Sequence, residues 1–244
     1  MDLPAPESDV TSIAIRGNFA PVRISPRQLH QQRLIGDAEY AESEVQVRIP
    51  DEVSVFQAGW LTCEANPDEL DIHTQDEADQ ERLRDLAVEI MRTIEPLEVS
   101  QLTLRRAVHF GVSNDEEYDA IGGRLVANEI WNGLLGTTEM RSAVYSGRRS
   151  DNYKGRIYIQ IEPSSRVAPG FYYEYLDYYD LTRAEAQPTS RDQGRHVLAS
   201  PADIESSAAK VDVAVEVLNT GWQSFLSRNN AVLERLWSLR KSIA

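Results

Sequence analysis

The predicted elements of this 244-residue chain run in the same order twice. Strand, short helix, three-strand meander and closing helix occur once before Glu95-Pro96 and again from Val99 to the C-terminus. Strands are read from period-two alternation, and one-faced helices from apolar positions recurring at three and four. A sheet built of meanders has a face to bury, and amphipathic helices supply its cover. The expected fold is therefore α+β: antiparallel sheet, or sheets, covered by helices, arranged as two tandem β-α-β-β-β-α units with pseudo-twofold symmetry. The alternative is an unduplicated α+β domain whose strands alternate in a similar way. The expected division is a flexible lead at residues 1–10, a first unit at 11–96, and a second unit at 97–244 with a long C-terminal helical segment.

The lead carries prolines and acids without an apolar period. Thr11-Ser12-Ile13-Ala14-Ile15-Arg16-Gly17 then alternates as a short strand. Ser25-Pro26 supplies a helix cap with proline at the first helical position, and Leu29, Leu34 and Ile35 give that helix an apolar side until Gly36-Asp37 stops it. Glu44-Val45-Gln46-Val47-Arg48-Ile49 alternates strictly, which marks a half-buried strand ended by Pro50. The longer apolar run over 53–64 turns at Asn66-Pro67-Asp68-Glu69 into Leu70-Asp71-Ile72-His73. From Asp76 onward, Leu83, Leu86, Ala87, Ile90, Met91 and Ile94 define a helix with one buried face, which Pro96 prevents from continuing.

The second pass opens on a long strand signal over 102–112. Ser113 or Asn114 caps a helix holding Tyr118, Ile121, Leu125, Val126, Ile130, Trp131 and Leu134, weakened in its middle by Gly122-Gly123 and ended by Gly136. Three strands follow, over 140–146, 156–162 and 171–181, the first two joined by a basic, glycine-containing loop at 147–155. A polar stretch at 182–200 reads as a long exposed loop. Ser200-Pro201-Ala202-Asp203 then starts a helix carrying Ile204, Ala208, Val211, Val215, Leu218, Trp222 and Phe225, continued through Leu233, Leu236 and Trp237.

With 41% hydrophobic and 26% charged residues, the composition is that of a globular protein and excludes wholesale disorder. No apolar run approaches the ~20 residues needed to cross a bilayer, and the N-terminus lacks the basic and apolar regions of a signal peptide. A cytoplasmic location is expected, with no membrane partner. The single cysteine, Cys63, sits in the apolar stretch Gly59-Trp60-Leu61-Thr62-Cys63 and reads as a buried free thiol.

The formal net charge of -14 disfavours wrapping a phosphate backbone, which needs clustered Lys and Arg. Half of it lies between Glu64 and Asp85, where nine acids face Arg82 and Arg84, nine less two leaving -7. That stretch is either a solvated hairpin tip with the acid-rich start of a helix or a docking face for a basic partner. The opposite concentration, Arg141, Arg148, Arg149, Lys154 and Arg156, surrounds a turn bearing Tyr145, Tyr153 and Tyr158. Arginine beside tyrosine binds phosphate, stacks a base or anchors a protein interface.

The run Tyr172-Tyr173-Glu174-Tyr175-Leu176-Asp177-Tyr178-Tyr179 is the other candidate surface. Alternation puts Tyr173, Tyr175, Asp177 and Tyr179 on one face, and Tyr172, Glu174, Leu176 and Tyr178 on the other. One face packs beneath a helix, and the rings of the other are available for contact. The candidate binding residues are thus Arg141, Arg148, Arg149, Tyr153, Lys154, Arg156, Tyr173, Tyr175, Asp177 and Tyr179.

No catalytic residue, cofactor or metal is assigned. The four histidines occur without His-x-x-x-His or Cys-x-x-Cys spacing, Gly-x-Ser-x-Gly is missing, and the glycine sets lack the lysine of a phosphate-binding loop. Asp71 and His73 share a strand face but lack further ligands. His109 lies within Ala107-Val108-His109-Phe110, where its polar atoms need partners.

Two resemblances follow from these patterns. In element order alone, the chain resembles the duplicated saddle of TATA-binding-protein-like folds. The aromatic strand ending Tyr175-Leu176-Asp177-Tyr178-Tyr179-Asp180, the polar loop, and the closing segments Trp222-Gln223-Ser224-Phe225-Leu226-Ser227 and Leu233-Glu234-Arg235-Leu236-Trp237 resemble a sporadically distributed, poorly characterised bacterial family of about 250 residues. That resemblance implies a bacterial accessory protein from a mobile or phage-defence locus, without naming a reaction.

The leading expectation is a noncatalytic interaction protein that binds a protein partner or a second copy of itself as a homodimer. The alternative is a nucleotide- or nucleic-acid-binding module using the 141–158 hairpin. An enzyme using His109 is least favoured.

Overall fold

The computed structural model describes residues 5–94, 98–126, 134, 139–149, 151, 153–183 and 207–240. The chain begins with β1 (Ser8–Asn18), the short helices α1 (Pro26–Gln31) and α2 (Asp37–Ala41), and the strands β2 (Glu44–Ile49), β3 (Val53–Ala58), β4 (Leu61–Ala65) and β5 (Glu69–Thr74). It continues through α3 (Gln80–Thr93), β6 (Glu98–Gly111), α4 (Asp115–Leu125), β7 (Ala143–Arg148), β8 (Tyr153–Pro163), β9 (Gly170–Arg183) and α5 (Ser207–Ser238). The fold is α+β, with one antiparallel sheet of nine strands ordered β2-β3-β4-β5-β1-β6-β9-β8-β7.

Outward from the β1–β6 pair, the order is β5-β4-β3-β2 on one side and β9-β8-β7 on the other. The second segment follows the expected β-α-β-β-β-α order, whereas the first carries one strand more. The apolar run over 53–64 is a hairpin rather than a single strand, because Gly59, at φ +58, and Trp60 form a two-residue turn between the paired Ala58 and Leu61. A positive φ at the first turn position is the condition that glycine meets without strain.

Several element ends follow directly from local chemistry. Ser25 caps α1 by accepting from the Gln28 amide, and Pro26 occupies its first position. Asn114 caps α4 by accepting from Glu117 N at 2.8 Å. α1 ends at Gln31, before the expected stop at Gly36-Asp37; Gly36 instead precedes α2, whose Glu39 side chain returns to the Gly36 amide. β1 starts at Ser8, inside the expected lead, because Ser8 and Asp9 pair with His109 and Val108. The continuation of α4 toward Trp131, the 184–206 stretch with the Ser200-Pro201 cap, and the Glu95-Pro96 junction lie outside the described residues.

Side-chain parity divides the sheet into unlike faces. Ile13, Ile15, Leu70, Ile72, Leu102 and Leu104 are buried on one face, where α3 packs on β1 and β5, α5 packs on β6 and β9, and the two helices meet. Trp222 and Phe225 of α5 and Leu83 and Ile90 of α3 are fully enclosed there. Cys63 is likewise buried, and burial raises its thiol pKa, so the expected inert thiol is observed. By contrast, β2 has all six residues exposed instead of being half-buried. It is an edge strand, and a bulge between Val45 and Val47 breaks its alternation against β3.

Gly155 shows how closely strands approach in the second segment. Its φ is +138, and a Cβ there would lie 2.0 Å from the Tyr178 carbonyl oxygen. Gly155→Ala is expected to lower stability by about 1–3 kcal/mol through backbone strain, read as a reduced urea midpoint. Gly147→Ala, where a Cβ meets nothing within 4 Å, should change it far less.

Candidate functional site

The alternation of β9 places Tyr173, Tyr175, Asp177 and Tyr179 on the covered face, each at most 2% exposed. α5 lies across them: Tyr175 packs edge-on against Phe225, and the Tyr173 hydroxyl donates to Asn229. Asp177 brings a carboxylate into this core, with its side chain fully enclosed. A buried carboxylate requires compensating donors. Arg149 binds one oxygen, and Arg228 of α5 reaches the other at 2.5 Å. The Arg149 guanidinium also lies 3.6 Å above the Tyr179 ring and binds Asp151. Burial opposes ionisation of Asp151, but the Arg149 bonds outweigh it and lower its pKa. Tyr153 closes the cluster edge-on to Tyr179 and donates to Glu216 of α5 at 2.9 Å. Burial, then that carboxylate, pushes its pKa up to about 12.

The structure therefore brings Arg149, Tyr153, Asp177 and Tyr179 together beneath α5, tying the end of β7 and the start of β8 to the helical layer. Arg148, Lys154 and Arg156 stand exposed on the opposite face, where Arg148 pairs directly with Arg156 across β7 and β8. Arg141 joins neither group; it precedes β7, exposed, with Glu139 at 3.4 Å.

Among the described residues, α3 and α5 pack on the first face alone, and the side chains of the opposite face form rows across the strands. One row spans all nine: Val47, Val55, Glu64, Asp71, Ala14, Thr103, Tyr178, Arg156 and Arg148 are successive cross-strand neighbours. Acids lie toward one end, bases toward the other, and small residues between. The adjacent row contains Thr62, His73, Ser12, Arg105, Leu176 and Tyr158. Farther along, Ser8, His109, Tyr172 and Glu162 align in the same way. Of the acid-rich 64–85 stretch, Glu64, Glu69 and Asp71 point to this open face. Arg82 and Arg84 are engaged in ion pairs with Asp79, Glu81 and Asp85, and Arg82 also pairs with Glu39.

His109 has the partner that its strand position demands: Nδ1 lies 2.9 Å from Ser164 Oγ. That oxygen already accepts from the Arg166 and Val167 amides, so its proton is left to donate to Nδ1. The neutral imidazole then carries its own proton on Nε2. Burial, then the nearby Arg166 charge, lowers the pKa of His109. Asp71 and His73 meet at 3.4 Å, and among the described residues no group of three or more His, Cys, Asp or Glu converges as a metal site.

Sequence reasoning did not single out Arg105, which binds Glu174 at 2.5 Å and Tyr172 at 3.1 Å on the open face. Its signal was present: Arg105-Arg106 interrupts an apolar strand, and opposite parity sends the two side chains to opposite faces. Arg106 goes to the helical side, where it binds Asp9 and Asn230.

Comparison of the chain with known protein families and with curated proteins finds no match.

Asp177 makes the covered cluster sensitive to substitution. Asp177→Ala leaves Arg149 and Arg228 without their shared carboxylate and is expected to cost about 3–5 kcal/mol. Asp177→Asn, which retains acceptor geometry, should cost less; urea unfolding of both variants measures the difference.

Proposed function

We propose that the protein is a noncatalytic interaction protein, and that its uncovered sheet face is the binding surface for a second copy of the chain. The observation that carries this reading is the charge order of the nine-strand row, with Glu64 and Asp71 on one side of the β1–β6 seam and Arg156 and Arg148 on the other. A twofold axis lying in that face, between β1 and β6, sets β4 of one copy over β8 of the other and β5 over β9. Glu64 then meets the partner's Arg156, and Asp71 meets the hydroxyl of the partner's Tyr178. Symmetry makes each contact twice, as an isologous interface requires. Ala14 and Thr103, small residues at the axis, leave room for the faces to approach. Tyr178 in the row and Tyr158 in the adjacent one supply amphipathic contact area.

A second reading is supported by one further observation. Arg148, Lys154 and Arg156 share the open face with Tyr158 and Tyr178, a combination suited to phosphate and base contact. The chain's net charge of -14 opposes that reading.

A charge exchange tests the leading reading. Arg148→Glu/Arg156→Glu should weaken self-association at least about tenfold, as should Glu64→Arg/Asp71→Arg, when each is measured alone by analytical ultracentrifugation. Mixed, the two variants should associate because both facing 64–156 pairs are again opposite in sign. A wild-type chain that stays monomeric at low salt, or a mixture no tighter than its components, overturns the proposal.

A further inference from the structure

The centre of the open face holds a depression of about 460 Å³. Small side chains create it: Val10 and Ala107 face each other across β1 and β6 and form its floor, while His73, Arg105, His109 and Tyr172 rise around them. The turn between β8 and β9 closes one end with Ser165 and Arg166. One serine hydroxyl at this place lacks a partner among the described residues: Ser8 lines the depression and is 9% exposed. A buried polar atom without a partner calls for a ligand or solvent to satisfy it.

The free hydrogen-bonding capacity here is donor-rich. Arg105 uses Nε and one terminal nitrogen on Glu174 and Tyr172, leaving Nη1 without a recorded bond. Arg166 is exposed and has no side-chain ion pair among the described residues. His109 presents Nε2–H, and the Ser8 hydroxyl adds a donor. The nearby carboxylates are occupied: Asp71 by His73, Glu162 by Gln160, and Glu174 by Arg105 and Tyr172. Of the two lining arginines, Arg105 is paired with Glu174, whereas Arg166 has no ion pair among the described residues. A monoanion with two acceptor oxygens matches Arg166 and these donors, and the tilted His109 and Tyr172 rings, 4.9 Å apart, offer it an aromatic wall.

We propose that this depression is a binding site for a small organic carboxylate, held by Arg105 and Arg166 with Ser8 and His109 as further donors. The site is complete within one copy of the chain and does not depend on self-association.

Titration with benzoate, followed through the histidine ring resonances, tests the assignment. His109 and His73 should shift saturably, with His30 on the remote α1 as the unmoved reference. The bound carboxylate favours the imidazolium, so the pKa of His109 should rise against the charges around it, namely Arg105, Arg166, Asp71, Glu162 and Glu174. Benzamide should bind at least about tenfold more weakly than benzoate, and Arg166→Ala should weaken benzoate by a similar factor. Ser8→Ala should weaken benzoate while leaving the unfolding midpoint unchanged or higher, because it removes an unpartnered hydroxyl. Absence of saturable shifts, equal binding of benzamide, or tighter binding of inorganic phosphate overturns the proposal. Repeating the titration on Arg148→Glu/Arg156→Glu separates failure of this site from failure of the dimer.

Discussion

The pairing of β1 with β6 is the constraint on which the rest of the molecule depends. These strands join the two segments of the chain, and β6 continues the same parity into β9 over eleven paired positions. Because side chains alternate with period two, a one-residue slip at this seam would exchange the faces of everything beyond it. Arg106 would leave Asp9 and Asn230 for the open side, and Asp177 would lose contact with α5. The apolar requirement of α3 and α5 therefore specifies the register, and the register places the polar rows on the other face.

Charge is handled differently on the two faces. Beneath α5, Asp177 is enclosed and held by Arg149 and Arg228, so breaking one partner leaves a costly uncompensated charge. This cluster ties strand, loop and helix together and accounts for four of the residues whose chemistry attracted notice in the sequence. On the open face, Arg148, Lys154 and Arg156 remain exposed, while Arg105 spends only part of its donor capacity. Ion pairs in the first place specify structure; unspent donors in the second are the basis of the proposed recognition.

The expected strands and helices were legible wherever one side of an element is buried. α3 shows its face through Leu83, Leu86, Ala87, Ile90 and Met91, and the Ser25-Pro26 and Asn114 signals mark helix starts because they satisfy local backbone donors. The additional first-segment strand was concealed because β3 and β4 form one nearly continuous apolar run, divided only by Gly59-Trp60. The strict alternation of β2 also misled as to burial. Alternation reports which residues share a face, but an edge strand beyond the helical layer remains exposed on both sides.

The sequence by itself determined the α+β class, the parity of the tyrosine strand, the buried thiol and the acidic and basic concentrations, since these follow from local periodicity and composition. Only the tertiary structure decided which tyrosine face lies beneath a helix, that Arg149 turns inward while Arg148 turns outward, and that Ser8, His73, Arg105 and Arg166 gather around His109. Those outcomes depend on strands distant in the chain becoming neighbours in one register. The physical reason is that local propensity carries the period of each element, whereas the burial of an entire sheet face selects its partners and its side.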